Sequence, residues 1–273
     1  MFYGTSKISA CLCFQPHLPV RGMTALVQYV QHLKFAFRPW LWPFAEKRRG
    51  EIDEFFRREC EKNPALWNGR LLLLRSADIR DGAMSGRFFE TDYASMLAAL
   101  DWGVMGDAVK ACFPAAAVLA SDGGFILGEM AKHTRNAGEV VFPCGSAERS
   151  DVINSWVDFF GTLRRELREE TGIVLDTLLP ESGWYAVTVG PRLPVIKIVR
   201  SEESADDLRA RIVANLAVQQ RSEFSEILIV RSLSDLSERM PAWVAGFLRH
   251  VWQARTSAAS SIHTRRSQGS STR

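Results

Sequence analysis

The sequence lacks long hydrophobic runs and has little net charge. None of its 273 residues lies in a run of the roughly 18 apolar residues that a transmembrane helix needs. Residues 1–22 lack the charged-then-apolar plan of a secretory signal. A formal net charge of +3 is too small to indicate a nucleic-acid-binding protein. These absences predict a cytoplasmic protein that binds neither a membrane nor nucleic acid.

Cysteine is scarce, and its count is odd. The five cysteines include Cys11 and Cys13, and the other three have no metal-ligand spacing. This usage fits a reducing compartment, because disulfide frameworks belong to oxidising ones. The sequence also lacks a Ser/His/Asp arrangement, a Walker loop and a dinucleotide-binding glycine fingerprint, which removes three common enzyme classes.

Residues 165–173, Arg-Glu-Leu-Arg-Glu-Glu-Thr-Gly-Ile, have regularly spaced charges. Glu166, Glu169 and Glu170 stand at i, i+3 and i+4, so a helix would place three carboxylates on one face. Like charges at this spacing destabilise a helix by roughly 0.2–0.5 kcal/mol per pair. A divalent cation would offset the repulsion. The alternative is a solvated acidic face balanced by neighbouring arginines.

The flanks of this stretch favour the metal interpretation. Leu163 and Leu167 form an apolar i, i+4 pair that can pack on a core. Gly172 follows the helix at a position where positive φ favours glycine, and Asp158 lies where an N-cap belongs. We therefore predict a short helix with one apolar face and one carboxylate face.

The same residues resemble the C-terminal half of the Nudix box of Nudix hydrolases, Arg-Glu-hydrophobic-x-Glu-Glu-x-Gly-hydrophobic, and match all seven specified positions. The other half departs, because the family has Gly fourteen residues and Glu eight residues before the Arg, where this chain has Asp151 and Val157. Residues 142–148 resemble the strand and glycine loop that open the motif. An insertion of about six residues within 149–157 would explain the displacement.

The resemblance implies an α/β fold, a Nudix-type α/β/α sandwich around a mixed sheet, and the alternation of helical and strand patterns agrees. We expect residues 1–44 to form an extension and 45–110 a small N-terminal α+β subdomain. Residues 111–253 would form the Nudix-type domain, and 254–273 a disordered tail rich in Ser, Thr and Arg.

Local patterns predict the individual elements. Predicted helices cover residues 24–37, 45–62, 94–100, 206–219 and 241–252. Predicted strands cover residues 71–74, 87–90, 115–120, 125–128, 139–143, 184–189, 193–199 and 227–230. The aromatic, proline-broken segment 37–44 is expected to pack as an irregular strap over the core.

By position in the motif, the resemblance implies that Glu166 and Glu170 are the main ligands of Mg²⁺ or Mn²⁺. Glu169 would be a further ligand or would orient the attacking water, and Arg165 would hold a neighbouring carboxylate. These implied roles make Glu166, Glu169 and Arg165 the catalytic candidates. Gly145 would let the backbone approach the metal or a phosphate, and an ordinary turn glycine is the alternative.

Two further groups are candidates for the site. Lys132 and Arg135 could meet a substrate phosphate, although a solvated basic loop is the alternative. The family often recruits another carboxylate from outside the motif, for which the candidates are Glu148, Glu223 and Glu226, each otherwise a surface acid.

The resemblance implies a hydrolase that cleaves a nucleoside diphosphate linked to another group, with metal-activated water. A small-molecule substrate is the expected partner, and a homodimer is compatible with the family. One alternative is a Nudix-like domain that binds a nucleotide or metabolite without cleavage, suggested by the departures at Asp151 and Val157. Another is an interaction module whose surfaces are residues 37–44 and the C-terminal helix.

Overall fold

The computed structural model describes residues 24–106 and 108–254, where thirteen strands form one mixed sheet. The strands are β1 (Leu26–Val30), β2 (His32–Phe37), β3 (Arg70–Arg80), β4 (Ala83–Asp92), β5 (Val109–Leu119), β6 (Phe125–Met130), β7 (Val140–Val141), β8 (Val152–Ile153), β9 (Trp156–Val157), β10 (Leu179–Pro180), β11 (Trp184–Thr188), β12 (Arg192–Arg200) and β13 (Phe224–Val230). The main order is β1-β11-β12-β5-β3-β4-β2-β9-β8, and β6 joins β5 to β7 and β13.

The α-helices in these ranges agree with five of the six predicted helices, the carboxylate helix included. They are α1 (Pro43–Lys47), α2 (Arg49–Lys62), α3 (Tyr93–Asp101), α4 (Phe159–Thr171), α5 (Ala205–Val218) and α6, residues 242–254. The predicted strands are confirmed as well, although the segment 139–143 is a strand only at Val140–Val141. The predicted mixed α/β class is therefore confirmed.

Residues 24–37 form strands β1 and β2, so the helix predicted there is wrong. β1 pairs antiparallel with β11, and β2 pairs parallel with β4. Val, Tyr and Phe recur in this segment, and such residues fit a pleated sheet well. The open edges of β11 and β4 supply partners that lie far away in the sequence.

The strap at residues 37–44 packs on the sheet as predicted. The rings of Trp40 and Trp42 lie 4.8 and 5.8 Å from the ring of Phe89 on β4, measured between centroids. Trp42 is buried, whereas Leu41 between the two tryptophans is exposed. Phe37 belongs to β2 and Pro43 begins α1, so the irregular part is short.

β5 connects the two regions of the chain in one sheet. It runs through residues 110 and 111, where the expected domain boundary lies, and pairs antiparallel with β3 at its start. Along its length it pairs parallel with β12, and its end pairs with β6. The regions on either side of the expected boundary, residues 45–110 and 111–253, therefore share a continuous hydrogen-bonded sheet.

Helices α4 and α6 lie on opposite faces of this sheet. Phe113 of β5 packs against Trp243 of α6, with ring centroids 5.8 Å apart. Phe88 of β4 packs against Phe159 of α4, with ring centroids 5.4 Å apart. Leu74 of β3 pairs with Phe88 on one side and with Lys110 of β5 on the other, so Phe88 and Lys110 point to the same face of the sheet. Lys110 and Phe113 are three positions apart on β5, so their side chains point to opposite faces. The arrangement is the expected α/β/α sandwich.

Two predictions, the N-terminal extension over residues 1–44 and the disordered tail over residues 254–273, extend beyond the described ranges. Residues 1–23 and Asp107 lie outside them, as do residues 255–273, which hold nearly all of the predicted disordered tail. In the part of the chain that is described, no helix combines the length and apolar character needed to cross a membrane.

Candidate active site

Helix α4 is fixed at both ends by the residues that the sequence pattern identified. The Asp158 carboxylate accepts a hydrogen bond of 2.9 Å from the backbone N–H of Gly161, as an N-cap does. At the other end Gly172 has a φ of 74° and donates its N–H to the carbonyl of Arg168. A Cβ at Gly172 would also overlap the side chain of Asn215 on α5. The helix register, and so the direction of its glutamates, is therefore well determined.

Two of the three glutamates on α4 are buried. Glu166 is 1% exposed and Glu170 is 2% exposed, as deeply buried as the apolar pair Leu163 and Leu167 beside them. Glu170 Oε2 accepts a 2.8 Å hydrogen bond from the backbone N–H of Cys144. A surface helix balanced by arginines would leave both carboxylates in water, so the solvated-face interpretation does not hold for this pair.

The Gly145 loop packs directly on Glu166. A Cβ built on Gly145 would overlap the carboxyl group of Glu166. The loop cannot move away easily, because Ala116 donates its N–H to the carbonyl of Pro143 and Leu72 donates to that of Ala147. Only glycine fits here without displacing the carboxylate, which goes beyond the requirement of an ordinary turn.

Arg165 links the buried glutamate to the loop. Its Nη1 donates to Glu166 Oε1 at 2.5 Å, and its Nη2 donates to Asp151 Oδ2 at 3.0 Å and to the carbonyl of Ser146 at 3.3 Å. Partial burial acts to lower the pKa of Arg165, but Glu166 and Asp151 outweigh this effect and raise it. The guanidinium thus stays charged and holds two carboxylates in place.

Asp151, which in the sequence is a departure from the Nudix pattern, is a residue of the site. The Nudix pattern separates its Gly from its first Glu by six positions, and Asp151 lies six positions after Gly145. Because Gly145 is the glycine against Glu166, Asp151 stands where that first Glu belongs, and it contacts Arg165. Counting forward from Gly145, rather than backward from Arg165, would have found it.

The insertion in the motif is then the segment 152–157, which folds as a hairpin of β8 and β9. Asn154 and Ser155 have φ values of 49° and 66°, which make the tight turn between the two strands. β9 pairs with β2, and the N–H of Asp158 donates to the carbonyl of Asp151 at the base of the hairpin. The extra residues thus fold away as a hairpin, and Asp151 at its base stays in contact with Arg165.

Glu169 is the exposed member of the group, with a side chain that is 52% exposed and lies 3.7 Å from Arg165 Nη1. Partial desolvation raises its pKa; Arg165 opposes this rise, and Glu148 and Asp151 add to it. Glu148 also donates its backbone N–H to Asp151 Oδ2 at 2.8 Å. We call Glu148, Asp151, Glu166, Glu169 and Glu170 the acidic cluster.

Of the three extra carboxylates considered from the sequence, Glu148 contacts this cluster. Glu226 lies on β13, which pairs with β6, and the carbonyl of Glu223 accepts from the N–H of Ala131 just beyond β6. Both lie along the β6–β13 pairing rather than in the Gly145 loop.

The loop with Lys132 and Arg135 contacts α2 instead. Arg135 Nη2 lies 3.0 Å from Glu59 Oε2, and the Glu59 side chain is only 7% exposed. Asn63 donates its side-chain amide to the carbonyl of His133. Arg135 therefore neutralises a buried glutamate, while Lys132 is exposed. A phosphate-binding role for either residue stays a prediction.

The ligand atoms of the acidic cluster suit a hard divalent cation, since carboxylate oxygens are the ligands that Mg²⁺ and Mn²⁺ prefer. Across residues 24–106 and 108–254, however, no three Asp, Glu, His or Cys side chains converge closely enough to hold a metal ion. The cluster thus fits the cation in the type of its ligands without forming a complete ligand set. Metal binding by Glu166, Glu169 and Glu170 stays a prediction.

The fold and the acidic cluster describe a mixed α/β protein with a Nudix-like carboxylate helix. No protein-family model matches the sequence, and no curated protein sequence matches it. Among solved structures, the MutT protein from Methanosarcina mazei Go1 is 18% identical, and the overlap covers 53% of this chain and 94% of that one at a TM-score of 0.35. RenU, a Nudix hydrolase from M. smegmatis, is 12% identical over 54% of this chain and 86% of its own, at a TM-score of 0.36.

Proposed function

We propose that this chain is a divalent-metal-dependent hydrolase of the Nudix type. It would cleave the pyrophosphate bond of a nucleoside diphosphate linked to another group. The observation that carries the proposal is the burial of Glu166 and Glu170 beside a glycine whose missing side chain makes room for Glu166. Burying carboxylates costs free energy unless they are paired or bind a metal, and apolar residues would pack this face at a lower cost.

The three glutamates of α4 would supply the metal chemistry. Glu166 and Glu170 would hold Mg²⁺ or Mn²⁺, with Glu169 as a third ligand or as the group that orients the attacking water. A bound divalent ion supplies charge neutralisation at the phosphate oxygens and a lower pKa for coordinated water. Most of the remaining catalysis in phosphoryl transfer is positioning.

Arg165 and Asp151 would supply that positioning. The guanidinium touches both Glu166 and Asp151, so it fixes the buried carboxylate relative to the Gly145 loop. Groups of this kind matter because a metal ligand must be oriented before the ion arrives. Among the three glutamates of α4, the half-exposed Glu169 is the one that a substrate or a water molecule can reach from solvent.

The test is phosphate release from a panel of nucleoside diphosphate derivatives, with a coupled phosphatase, in Mg²⁺ and in Mn²⁺. Glu170→Gln should lower metal-dependent release by at least about 100-fold, because even outer partners of metal ligands contribute about 10- to 100-fold. Glu202→Gln, at an exposed acid outside the cluster, is the matched control and should keep the wild-type rate. Equal rates for wild type and Glu170→Gln on a cleaved substrate would reject the assignment.

A second candidate is a domain that binds its nucleotide or metabolite without cleaving it. The observation that favours it is that no three ligating side chains converge within the described residues. Calorimetric titration with Mn²⁺ separates the two candidates, since the hydrolase requires Mn²⁺ binding that Glu166→Gln weakens. Tight ligand binding in EDTA, with no product after long incubation with metal, would support the binding domain.

A further inference from the structure

A second site of opposite charge lies in the N-terminal half of the sheet. A cavity of about 380 Å³ has three arginines in its wall, Arg38, Arg75 and Arg87, together with Trp40 and Phe89. We call it the arginine cavity. A volume of this size is typical of small-molecule sites, which combine aromatic walls with a few charged groups.

Strand register brings these arginines together. Arg75 of β3 is directly opposite Arg87 of β4, and Arg87 is in register with Ala36 of β2. Side chains at paired positions point to the same face of a sheet, so the two guanidinium groups rise from one face with a small alanine beside them. Ala36 in turn pairs with Trp156 of β9, so the exposed Trp156 ring lies on the same face, next after Arg75, Arg87 and Ala36. Because the side chain of Ala36 is small and its neighbours on the same face are large, an open space remains above Ala36, and this space is the arginine cavity.

The three arginines have no ionic partner among the residues described here, and no acidic residue lines the cavity in that part of the chain. Arg38 donates to the carbonyl of its neighbour Phe37, and the guanidinium of Arg75 lies 4.1 Å from the centroid of the Trp40 ring. Like charges directly opposite each other on neighbouring strands destabilise a sheet. An anion in the cavity would remove that cost.

Other arginines on the same strands are neutralised. Arg70 of β3 lies 3.2 Å from the carboxylate of Glu90, and Arg80 of β3 lies 2.7 Å from that of Asp78. The arginines at the two ends of β3 thus have acidic partners, and only Arg75 in its middle faces another arginine instead. Among the residues that the structure describes, the positive charge at this point of the sheet has no acidic partner.

The arginine cavity is separate from the acidic cluster. Phe88 follows Arg87 on β4 and points to the opposite face, where it packs on Phe159 at the start of α4. Because α4 carries Glu166, Glu169 and Glu170, the sheet itself lies between these glutamates and the cavity. An anion in the cavity therefore does not need a metal ion held by the glutamates.

We propose that the arginine cavity binds the diphosphate group of a small phosphate compound, without metal and apart from the active site. Guanidinium groups form paired hydrogen bonds with phosphate oxygens, which makes arginine well suited to this ligand. The diphosphate can come from inorganic pyrophosphate or from a nucleoside diphosphate. In the second case the exposed ring of Trp156 is placed for the base to stack on it.

The experiment is calorimetric titration of the full chain, in EDTA and low salt, with inorganic pyrophosphate, ADP and adenosine. Arg87→Gln should weaken the binding of pyrophosphate or ADP by about tenfold or more, because a hydrogen bond to a charged group contributes that much. Arg80→Gln on the neighbouring strand is the control and should change the affinity less than about twofold. Tighter binding of ADP than of pyrophosphate would identify a nucleotide, and equal binding the diphosphate alone.

Three results would overturn the proposal. They are no binding of either phosphate by the wild type, equal affinity in wild type and Arg87→Gln, and binding that Glu170→Gln abolishes. Thermal unfolding of every variant checks that it is folded, and Arg38→Gln, at an exposed position outside the strands, replaces any variant that is not. Because these titrations contain no metal, their failure is distinct from failure of the proposed hydrolase. Metal-dependent phosphate release should also persist in Arg87→Gln.

Discussion

The acidic cluster and the arginine cavity concentrate opposite charges on opposite sides of one sheet, and they differ in how those charges are satisfied. Glu166 and Glu170 are buried and each accepts a hydrogen bond from an identified donor. Arg75 and Arg87 are exposed and face each other. In the acidic cluster the protein itself supplies the hydrogen-bond donors, and Gly145 leaves the space that the Glu166 carboxylate occupies. The arginine cavity has no acidic partner among residues 24–106 and 108–254, and the proposed diphosphate would complete it.

The largest effect should come from filling the space beside Glu166. Gly145→Ala would place a methyl group on the carboxylate, so we expect phosphate release to fall about as far as in Glu166→Gln. Overpacking of this kind also costs about 1–3 kcal/mol of unfolding free energy. Gly50→Ala in α2, where a Cβ meets no atom within 4 Å, should instead be neutral or stabilising by about 0.5–1 kcal/mol. Full activity in Gly145→Ala would show that the close fit has no functional role.

A smaller effect is expected where the cluster is tied to its loop. Asp151→Leu removes the carboxylate that Arg165 touches, and we expect a loss of about 1–3 kcal/mol in unfolding free energy together with lower activity. Asp151→Glu introduces the residue type of the Nudix pattern and should keep both the unfolding free energy and the activity of the wild type. A double-mutant cycle with Arg165→Met measures the coupling, expected at about 0.5–3 kcal/mol. A coupling near zero would mean that Asp151 does not hold Arg165.

Arg49 in the N-terminal region has an acidic partner, unlike the arginines of the cavity, and so allows a third test of how satisfied and unsatisfied charges differ. Asp92 caps α3 through Ser95 and accepts from Arg49 Nη1 at 2.7 Å. Burial alone would raise the pKa of Asp92, but Arg49 and Ser95 outweigh it, and the pKa is lowered. Asp92→Asn can keep the cap, because asparagine also accepts from the helix N–H, but it removes the negative charge that Arg49 pairs with, so it should cost about 1–2 kcal/mol at neutral pH.

This contribution has a definite pH dependence. A lowered folded-state pKa stabilises the protein above the unfolded value of about 3.9, and the stabilisation disappears as the pH falls through the folded value. Urea unfolding of wild type and Asp92→Asn at pH 7 and at pH 3 should thus give a difference that shrinks in acid. A difference that is constant with pH would assign the effect to packing.

How far the sequence predicts each region follows from how local the determinants are. Helix α4, its caps and its three glutamates lie within one continuous stretch, so spacing alone gives their arrangement. Asp151 was missed because the hairpin at residues 152–157 shifts the count between the two halves of the motif. The strands β1 and β2 were missed because their partners β11 and β4 lie far along the chain.

The arginine cavity has no signal in the sequence at all. Arg38, Arg75 and Arg87 belong to separate segments, and only the register of β3 and β4 and the path of the chain after β2 bring them together. The ion pair between Arg135 and the buried carboxylate of Glu59 was equally unpredictable, because Glu59 lies on a helix much earlier in the chain. Charges that depend on strand register or tertiary packing need the structure.

The smallest effect should appear in the stability of the arginine cavity without ligand. Because Arg75 and Arg87 repel each other across the strands, Arg87→Gln should raise the unfolding free energy by about 0.2–1 kcal/mol in low salt. The gain should fade as salt screens the charges. Arg80→Gln, which removes an exposed ion pair with Asp78, should give no gain. If Arg87→Gln were destabilising at every salt concentration, Arg87 would be holding the sheet together, and the difference between the satisfied acids and the unsatisfied arginines would disappear.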